Sequence, residues 1–341
     1  MAERKKKRVT IEDVAREAGV SIATVSRIIN HKDTVTSETR ERVLSMMEYL
    51  NFVPRSLHQP PQVSQRKMIL LCLPDFDNPF NAQLIRGVQK AARYHDFEVL
   101  FLQTENFYTN SGAYLDAIRH SGAAGVLMLS PVPNKTLLFE INAFCPVVMC
   151  SEYHEDPGLS YVTIDNAQAA QKAVEYLIST GCRKIGLINS FHRNAYARER
   201  EAGYREALLA AGLPVNEDWI AHISSINYQS AFSKASYILG MENRPDAFFA
   251  TADMFAVGAV NAAKKLGLRV PEDVSVIGFD NVETAVMCEP QLTTVDQPSR
   301  EIGYQSCELL IDRITNRDSV PRHIKLDTEL IVRQSTKFNR Q

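Results

Sequence analysis

No apolar run in this 341-residue chain approaches the length of a membrane span. No apolar stretch follows the basic run Arg4 to Arg8, so no secretory leader is expected either. Cysteine is sparse: there are six, none spaced C-x-x-C, and most sit among apolar residues. That pattern excludes a zinc ribbon or a dithiol redox motif and reads as buried free thiols in a reducing compartment. The eight histidines never pair at i,i+4 around a glutamate, so spacing gives no reason to expect a metal. A G-x-S-x-G elbow, a phosphate-binding loop and a complete G-x-G-x-x-G are all missing. An enzyme is therefore not expected, nor a cofactor. No short-period repeat marks a solenoid.

Strong charge of one sign is lacking too, since the net charge is only −2. The distribution is uneven, however. Through residue 66 there are 12 Lys+Arg against 8 Asp+Glu, a net +4, whereas the remainder carries 26 against 32, a net −6. A basic head on an acidic body suits a head that alone meets a polyanion.

What is present is best read from Thr10 to Asn30. Thr10 and Asp13 have the spacing of a capping box, in which each side chain accepts from the other's backbone N–H. Val14, Ala15 and Ala18 place small apolar groups on one helical face. Gly19 can end that helix in a left-handed conformation. Ser21 can cap a second helix, whose Val25, Ile28 and Ile29 face back to the first. Ile22, Ala23, Thr24, Ser26 and Arg27 are left on the outer face. This is the layout of a helix-turn-helix, whose second helix enters the major groove of double-stranded DNA. A third helix over 37–50 carries the stripe Val43, Met46, Met47, Leu50.

These signals divide the chain into a basic tail over 1–9, an all-α head over 10–52, a linker over 53–66 and a core over 67–338. The linker contains Pro54, Pro60 and Pro61, and the last two forbid a regular helix across them. From Met68 short apolar strands alternate with amphipathic helices, and the alternation restarts near Ala167. A β-α-β-α pattern written twice predicts an α/β core of two doubly wound parallel-sheet lobes. The tail reads as strand Leu292 to Val295, helix Ser299 to Thr315 and strand Lys325 to Arg333. Lobe 1 is assigned about 67–162 plus 292–322, and lobe 2 about 163–291 plus 323–338. In such folds ligands bind at the carboxyl ends of strands, here between the lobes.

Thr10-Ile11-x-x-Val14-Ala15-x-x-Ala18-Gly19-Val20-Ser21-x-x-Thr24-Val25-Ser26-Arg27-x-x-Asn30 resembles the head of the lac-repressor (LacI/GalR) family of bacterial transcription regulators. The resemblance continues through Asp77-Asn78-Pro79-Phe80, Ile164-Asp165-Asn166, Gly203-Tyr204, Val270 to Asn281 and Leu292 to Pro298, so it covers nearly the whole chain. Within the family, Ser151-Glu152-Tyr153 and Cys288-Glu289-Pro290 resemble the cytidine-responsive nucleoside regulators. The resemblance implies a periplasmic-binding-protein-like core. It also implies a homodimer that binds a pseudo-palindromic operator and a small carbohydrate or nucleoside effector whose binding switches operator affinity. Most such regulators are repressors. The expected setting is cytoplasmic, on the nucleoid when DNA is bound, with no membrane partner. No leucine heptads follow Arg333, so a dimer is expected and a tetramer is not.

Ile22 and Ala23 match the family's base-reading positions; both are apolar and can touch thymine methyls. Arg27 can reach a guanine edge or a phosphate. Thr10, Ser21, Thr24, Ser26 and Asn30 suit phosphate contacts, and capping accounts for Thr10 and Ser21 as well. The family places a leucine wedge in the linker where this chain has Pro61, so Leu57 or the proline itself is the wedge candidate, with a tether lacking a hinge helix as the alternative. In the core, Asp280 ends an apolar strand where a carboxylate can accept from sugar hydroxyls, and it matches an effector-contacting aspartate. Phe80 matches an aromatic that stacks on the ligand. Arg198 and Arg200 both fall where the family keeps an effector arginine; Arg198 is preferred, with Arg200 structural. Asp253 reads either as a helix N-cap or as a contact. Ser151 or Glu152, and Asn227 or Tyr228, complete the candidates. The competing function is a cytoplasmic solute-binding sensor without operator specificity, which would leave the helix-turn-helix unexplained.

Overall fold

In the head, α1 (Ile11–Ala18), α2 (Ile22–Ile29) and α3 (Ser37–Tyr49) enclose a core of Val14, Ala15, Ala18, Val25, Ile28 and Val43. The structure is a computed structural model that describes residues 9–29, 35–50, 52, 67–104, 111–129, 135–154 and 158–338. The capping box forms: Thr10 Oγ1 accepts from the Asp13 N–H at 3.4 Å, and Asp13 Oδ2 accepts from the Thr10 N–H at 2.9 Å. Gly19 adopts φ +66° and ends α1, and the Val20 N–H donates to the Ala15 carbonyl at 3.0 Å. A side chain at Gly19 would be strained there whatever the space around it.

The chain divides into two compact units, Met1–Arg66 and Lys67–Gln341. The second begins with β1 (Lys67–Leu73), α4 (Pro79–Tyr94), β2 (Phe97–Gln103), α5 (Ser111–His120), β3 (Gly125–Met128), α6 (Lys135–Phe144), β4 (Val147–Cys150) and β5 (Ser160–Ile164). A second run follows: α7 (Asn166–Ser179), β6 (Ile185–Ser190), α8 (Ala195–Ala210), β7 (Ile220–Ile223), α9 (Tyr228–Leu239), β8 (Ala247–Ala250), α10 (Asp253–Lys265), β9 (Ser275–Asp280) and α11 (Glu283–Met287). The tail holds β10 (Thr293–Asp296), α12 (Ser299–Thr315), β11 (His323–Leu326) and β12 (Glu329–Ile331).

Two six-stranded sheets result, in the orders β11-β5-β4-β3-β1-β2 and β12-β10-β9-β8-β6-β7. Their pairings are parallel except that β12 runs antiparallel to β10. Inner strands such as β3, β4 and β8 are buried along their whole length, as continuous apolar runs covered on both faces require. Helices α7 and α8 approach to backbone contact: a Cβ on Gly203 would lie 2.1 Å from the Ala167 carbonyl oxygen.

The tail corrects the lobe boundaries read from sequence. Strand β10 lies in the second sheet beside β9, not in lobe 1. Strand β11 lies in the first sheet beside β5, not in lobe 2. The expected single strand Lys325 to Arg333 is two strands in two sheets. Helix α12 packs on α4, β3, β4 and β5, within lobe 1. The chain thus crosses between lobes at residue 165, at 297–298 and at 327–328. Links this short let neighbouring elements serve opposite lobes, and the sequence of one strand does not say which sheet it joins. Among the described residues no helix is long and apolar enough to cross a membrane.

Candidate DNA-reading face and ligand cleft

In the head, Ser21 Oγ accepts from the Thr24 N–H at 3.1 Å and starts α2. Helix α2 then turns Val25 and Ile28 inward. The apolar packing fixes its opposite face. Ser21, Ile22, Ala23 and Arg27 are exposed, and Thr24 and Ser26 are half-buried beside them. Ile22 is 48% exposed, a large share for an isoleucine on a helix that buries Val25 and Ile28. Thr10 sits at the exposed start of α1. Asn30 and Leu57 lie outside the described residues, as does the whole of 53–66.

In the core, a cleft with about 870 Å³ of empty space, part of it open solvent, lies between the lobes at the carboxyl ends of their strands. Lobe 1 supplies Asp75, Asn78, Phe80 and Asn81 from the β1–α4 turn, Leu129 after β3, and Ser151 and Glu152 after β4. Lobe 2 supplies Arg193, Asn194, Tyr196 and Arg200 from the turn after β6 and from α8, Ser224 to Ile226 after β7, Asp280 at the end of β9, and Gln297 from a crossover.

Asp280 and Arg200 form the charged centre. Arg200 Nη1 lies 3.7 Å from Asp280 Oδ1, and the two side chains are 5% and 6% exposed. Asn166 Oδ1 accepts from Arg200 Nε at 2.9 Å, the Thr251 carbonyl accepts from Nη1 at 2.7 Å, and the guanidinium stacks 3.5 Å over the Phe279 ring. Burial pulls the Arg200 pKa below its usual value, with Asp280 opposing, yet the guanidinium remains charged. Burial likewise pushes the Asp280 carboxyl up to about 6, against Arg200 and the hydrogen bond from Gln297.

Glu152 is 5% exposed. Its Oε2 accepts from the Ala195 N–H at 2.9 Å, so a lobe 1 carboxylate meets the first turn of a lobe 2 helix. Burial pushes its pKa up to about 7, against the N–H groups of Ala195 and Tyr196 and then Arg198 and Arg200. Its other oxygen, Oε1, is buried without a hydrogen-bond partner, and so is Gln297 Oε1. An unpaired buried oxygen costs about 1–3 kcal/mol, and residues lining this cleft carry two of them. Ser151 and Asp280 hold φ of +66° and +106°, conformations that concentrate at binding sites.

Residues 10–55 match the bacterial regulatory proteins of the lacI family, and residues 154–336 match the periplasmic binding protein-like domain. The HTH-type transcriptional repressor CytR of Escherichia coli (strain K12) is 33% identical over 337 residues, covering 98% of each chain. The chain belongs to the lacI family. It is accordingly a DNA-binding transcription regulator with an effector-binding core, and not an enzyme. A solute-binding protein without operator specificity is not favoured. The HTH-type transcriptional repressor PurR of Photobacterium profundum is 30% identical, covering 96% of this chain and 98% of that one. Among solved structures, the regulator CelR in complex with cellobiose superposes with a TM-score of 0.72 at 33% identity, covering 96% of this chain and 100% of that one. The lac repressor dimer bound to operator and the anti-inducer ONPF gives 0.72 at 25% identity, covering 97% and 99%.

The effector residues expected of a lacI-family core divide. Phe80, Ser151, Glu152 and Asp280 line the cleft. Arg198 does not: it is exposed, and its Nη1 donates to the carbonyls of His192 and Arg193. Arg200 takes the cleft position instead. Two residues turn a helix by about 200°, so the two arginines point apart. Tyr228 begins α9, stacks on Phe232 and accepts from Asn261, away from the cleft lining. Asp253 is neither N-cap nor contact. It is the first residue of α10, fully buried, and its carboxylate accepts from the Val282 N–H at 2.8 Å and Thr294 Oγ1 at 2.6 Å. Gln297, Asn81 and Tyr196 line the cleft without having been singled out from sequence.

Proposed function

We propose that the protein is a homodimeric repressor whose affinity for a pseudo-palindromic operator is switched by a hydroxyl-rich small molecule, a sugar or nucleoside, held between the lobes. Phe80 offers a face for the ligand ring. Asp280 and Arg200 offer an acceptor and a donor pair for adjacent hydroxyls. Glu152 and Gln297 line the same cleft, and the convergence of Phe80 from one lobe with Arg200 and Asp280 from the other is the observation that carries the reading. The CelR–cellobiose complex supports a carbohydrate class. The head acts through Ile22, Ala23 and Arg27 at base edges. Thr10, Ser21, Thr24, Ser26 and Asn30 act at phosphates, with Leu57 at the minor groove. Such a regulator works in the cytoplasm, on the nucleoid when bound.

A thermal-shift screen of nucleosides, pentoses, hexoses and disaccharides tests the cleft. A ligand at a hundred times its Kd adds about 2.7 kcal/mol of apparent stability. At least one class is expected to raise the Tm of the wild type and not that of Asp280→Asn. No shift from any class, or an equal shift in Asp280→Asn, contradicts the proposal.

A further inference from the structure

His192, Glu201 and His222 come from three different segments and meet at one point. His192 stands in the turn between β6 and α8, Glu201 on α8, and His222 on β7. Nε2 of each histidine lies 2.7 Å from the same oxygen, Glu201 Oε2. The three groups each offer one ligand atom, and these atoms all lie within 4.8 Å of one another. The imidazole rings meet edge to face with centroids 4.6 Å apart. Glu201 is buried at 6% side-chain exposure, whereas His192 and His222 are 51% and 32% exposed. A buried carboxylate therefore anchors the group, and its outer side opens to solvent.

The carboxylate is held from behind. Arg205 donates to Oε1 through Nε at 3.0 Å and Nη2 at 2.8 Å, and Asn189 Nδ2 donates to Oε2 at 3.2 Å. Outer groups that orient a carboxylate in this way are a regular part of metal sites. Burial opposes ionisation of Glu201, but the hydrogen bonds from His192 and His222, then Arg205 and Asn189, hold its carboxyl down to about 2. Without an ion, two imidazole N–H groups and an amide crowd one oxygen. When each ring carries its proton on Nδ1, both Nε2 lone pairs are free, and a single dication takes the place of the two hydrogen bonds, with both Nε2 atoms and Oε2 converging on it.

We propose that His192, Glu201 and His222 form a binding site for a borderline transition-metal dication of the Zn²⁺ class, outside the ligand cleft. Two imidazoles and one carboxylate suit Zn²⁺, whereas Ca²⁺ and Mg²⁺ take oxygen ligands. Ligand distances of about 2.0–2.2 Å around a tetrahedral ion require the donors to part slightly, which the half-exposed His192 can do. The open side leaves a fourth position for water. An ion here fastens together the β6–α8 turn, α8 and β7. Arg193, Arg200 and Ser224, each within two residues of a ligand, line the cleft from those same segments.

The test uses the full-length protein, stripped with chelator and dialysed against buffered Zn²⁺, with bound metal counted directly. Competition from thiols is weak, because burial raises the pKa of every one of the six cysteines, and that of Cys72, Cys150 and Cys307 up to about 12. One Zn²⁺ per chain is expected, with binding weakened at least about tenfold in the double variant His192→Ala/His222→Ala. Co²⁺ in place of Zn²⁺ should give visible d–d bands that the double variant lacks. Circular dichroism and a urea midpoint matching the wild type show that the variant is folded. Failure of the wild type to retain Zn²⁺ at micromolar concentration, or equal Zn²⁺ binding and equal Co²⁺ spectra in the double variant, overturns the proposal.

Discussion

The head and the cleft are built by opposite means. In the head, the contacts that present Ile22, Ala23 and Arg27 come from residues close in sequence: Thr10 with Asp13, Gly19 with Ala15 and Arg16, Ser21 with Thr24. In the cleft, Arg200 is held by Asn166, Thr251 and Asp280, and Glu152 by Ala195, all of them distant in sequence. The head turns apolar groups outward on a small polar-capped frame. The cleft turns charged groups inward and buries them. The head therefore depends on weak, additive, exposed interactions, whereas the cleft depends on a few buried ones whose removal strands a partner.

Substitution at the charged centre should show the contrast most strongly. Arg200→Met leaves Asp280 a buried carboxylate without its cation and leaves Asn166 and the Thr251 carbonyl without donors. A loss of about 3–5 kcal/mol in core stability is expected, read from a urea midpoint. A loss no larger than that of a surface substitution would erase the distinction between the two regions.

Glu152 adds a pH dependence that the head should lack. Its folded pKa, about 7, lies above its ordinary value of 4.5, so the folded state binds the proton more tightly than the unfolded chain. The stability this contributes is complete below about pH 4.5 and is lost as the pH rises through about 7. Asp280, raised to about 6, adds to the same decline. Glu152→Gln is expected to match the wild type near pH 5 and to exceed it near pH 8 by up to about 3 kcal/mol. Parallel stability curves across that range would contradict a buried, raised carboxyl.

In the head the effects are smaller and of another kind. Arg27→Ala should weaken operator binding by roughly 1–3 kcal/mol at fixed salt and leave the core's urea midpoint unchanged. Thr10→Ala removes one side of the capping box and should cost the head roughly 1 kcal/mol of stability, seen by amide exchange in α1. A larger loss would mean that Thr10 holds more than a helix start.

The same contrast explains what the sequence discloses. The helix-turn-helix is legible because its signals are contiguous. The alternating strands of the core are legible because each is a short apolar run. Some core helix starts are fixed by a cap that apolar periodicity does not mark: α4 begins at Pro79 behind the cap Asn78, and α9 at Tyr228 behind the cap Asn227. First turns such as those of α4 and α8 form part of the cleft wall, so the boundaries that periodicity places least well are the ones that matter to the site. Asp280 is legible from its place at a strand end. Arg200 had a signal that outweighs proximity in the motif: it lies in phase with Ala197, Tyr204 and Ala207, all buried on one face of α8. Gln297 lies in the matching stretch Leu292 to Pro298, but its place at the cleft depends on Asp280 from another strand; the His192–Glu201–His222 cluster had no signal, since its members arrive from three elements.

Coupling of the cleft to the head by a ligand is the central claim. The most direct measurement is the affinity of the full chain for a DNA duplex it has selected from a random pool, with and without a saturating sugar or nucleoside that raises its Tm. A change of about fivefold or more is expected, the range of ordinary allosteric coupling, and no change in Asp280→Asn. Identical operator affinity with and without a ligand that demonstrably fills the cleft would contradict it.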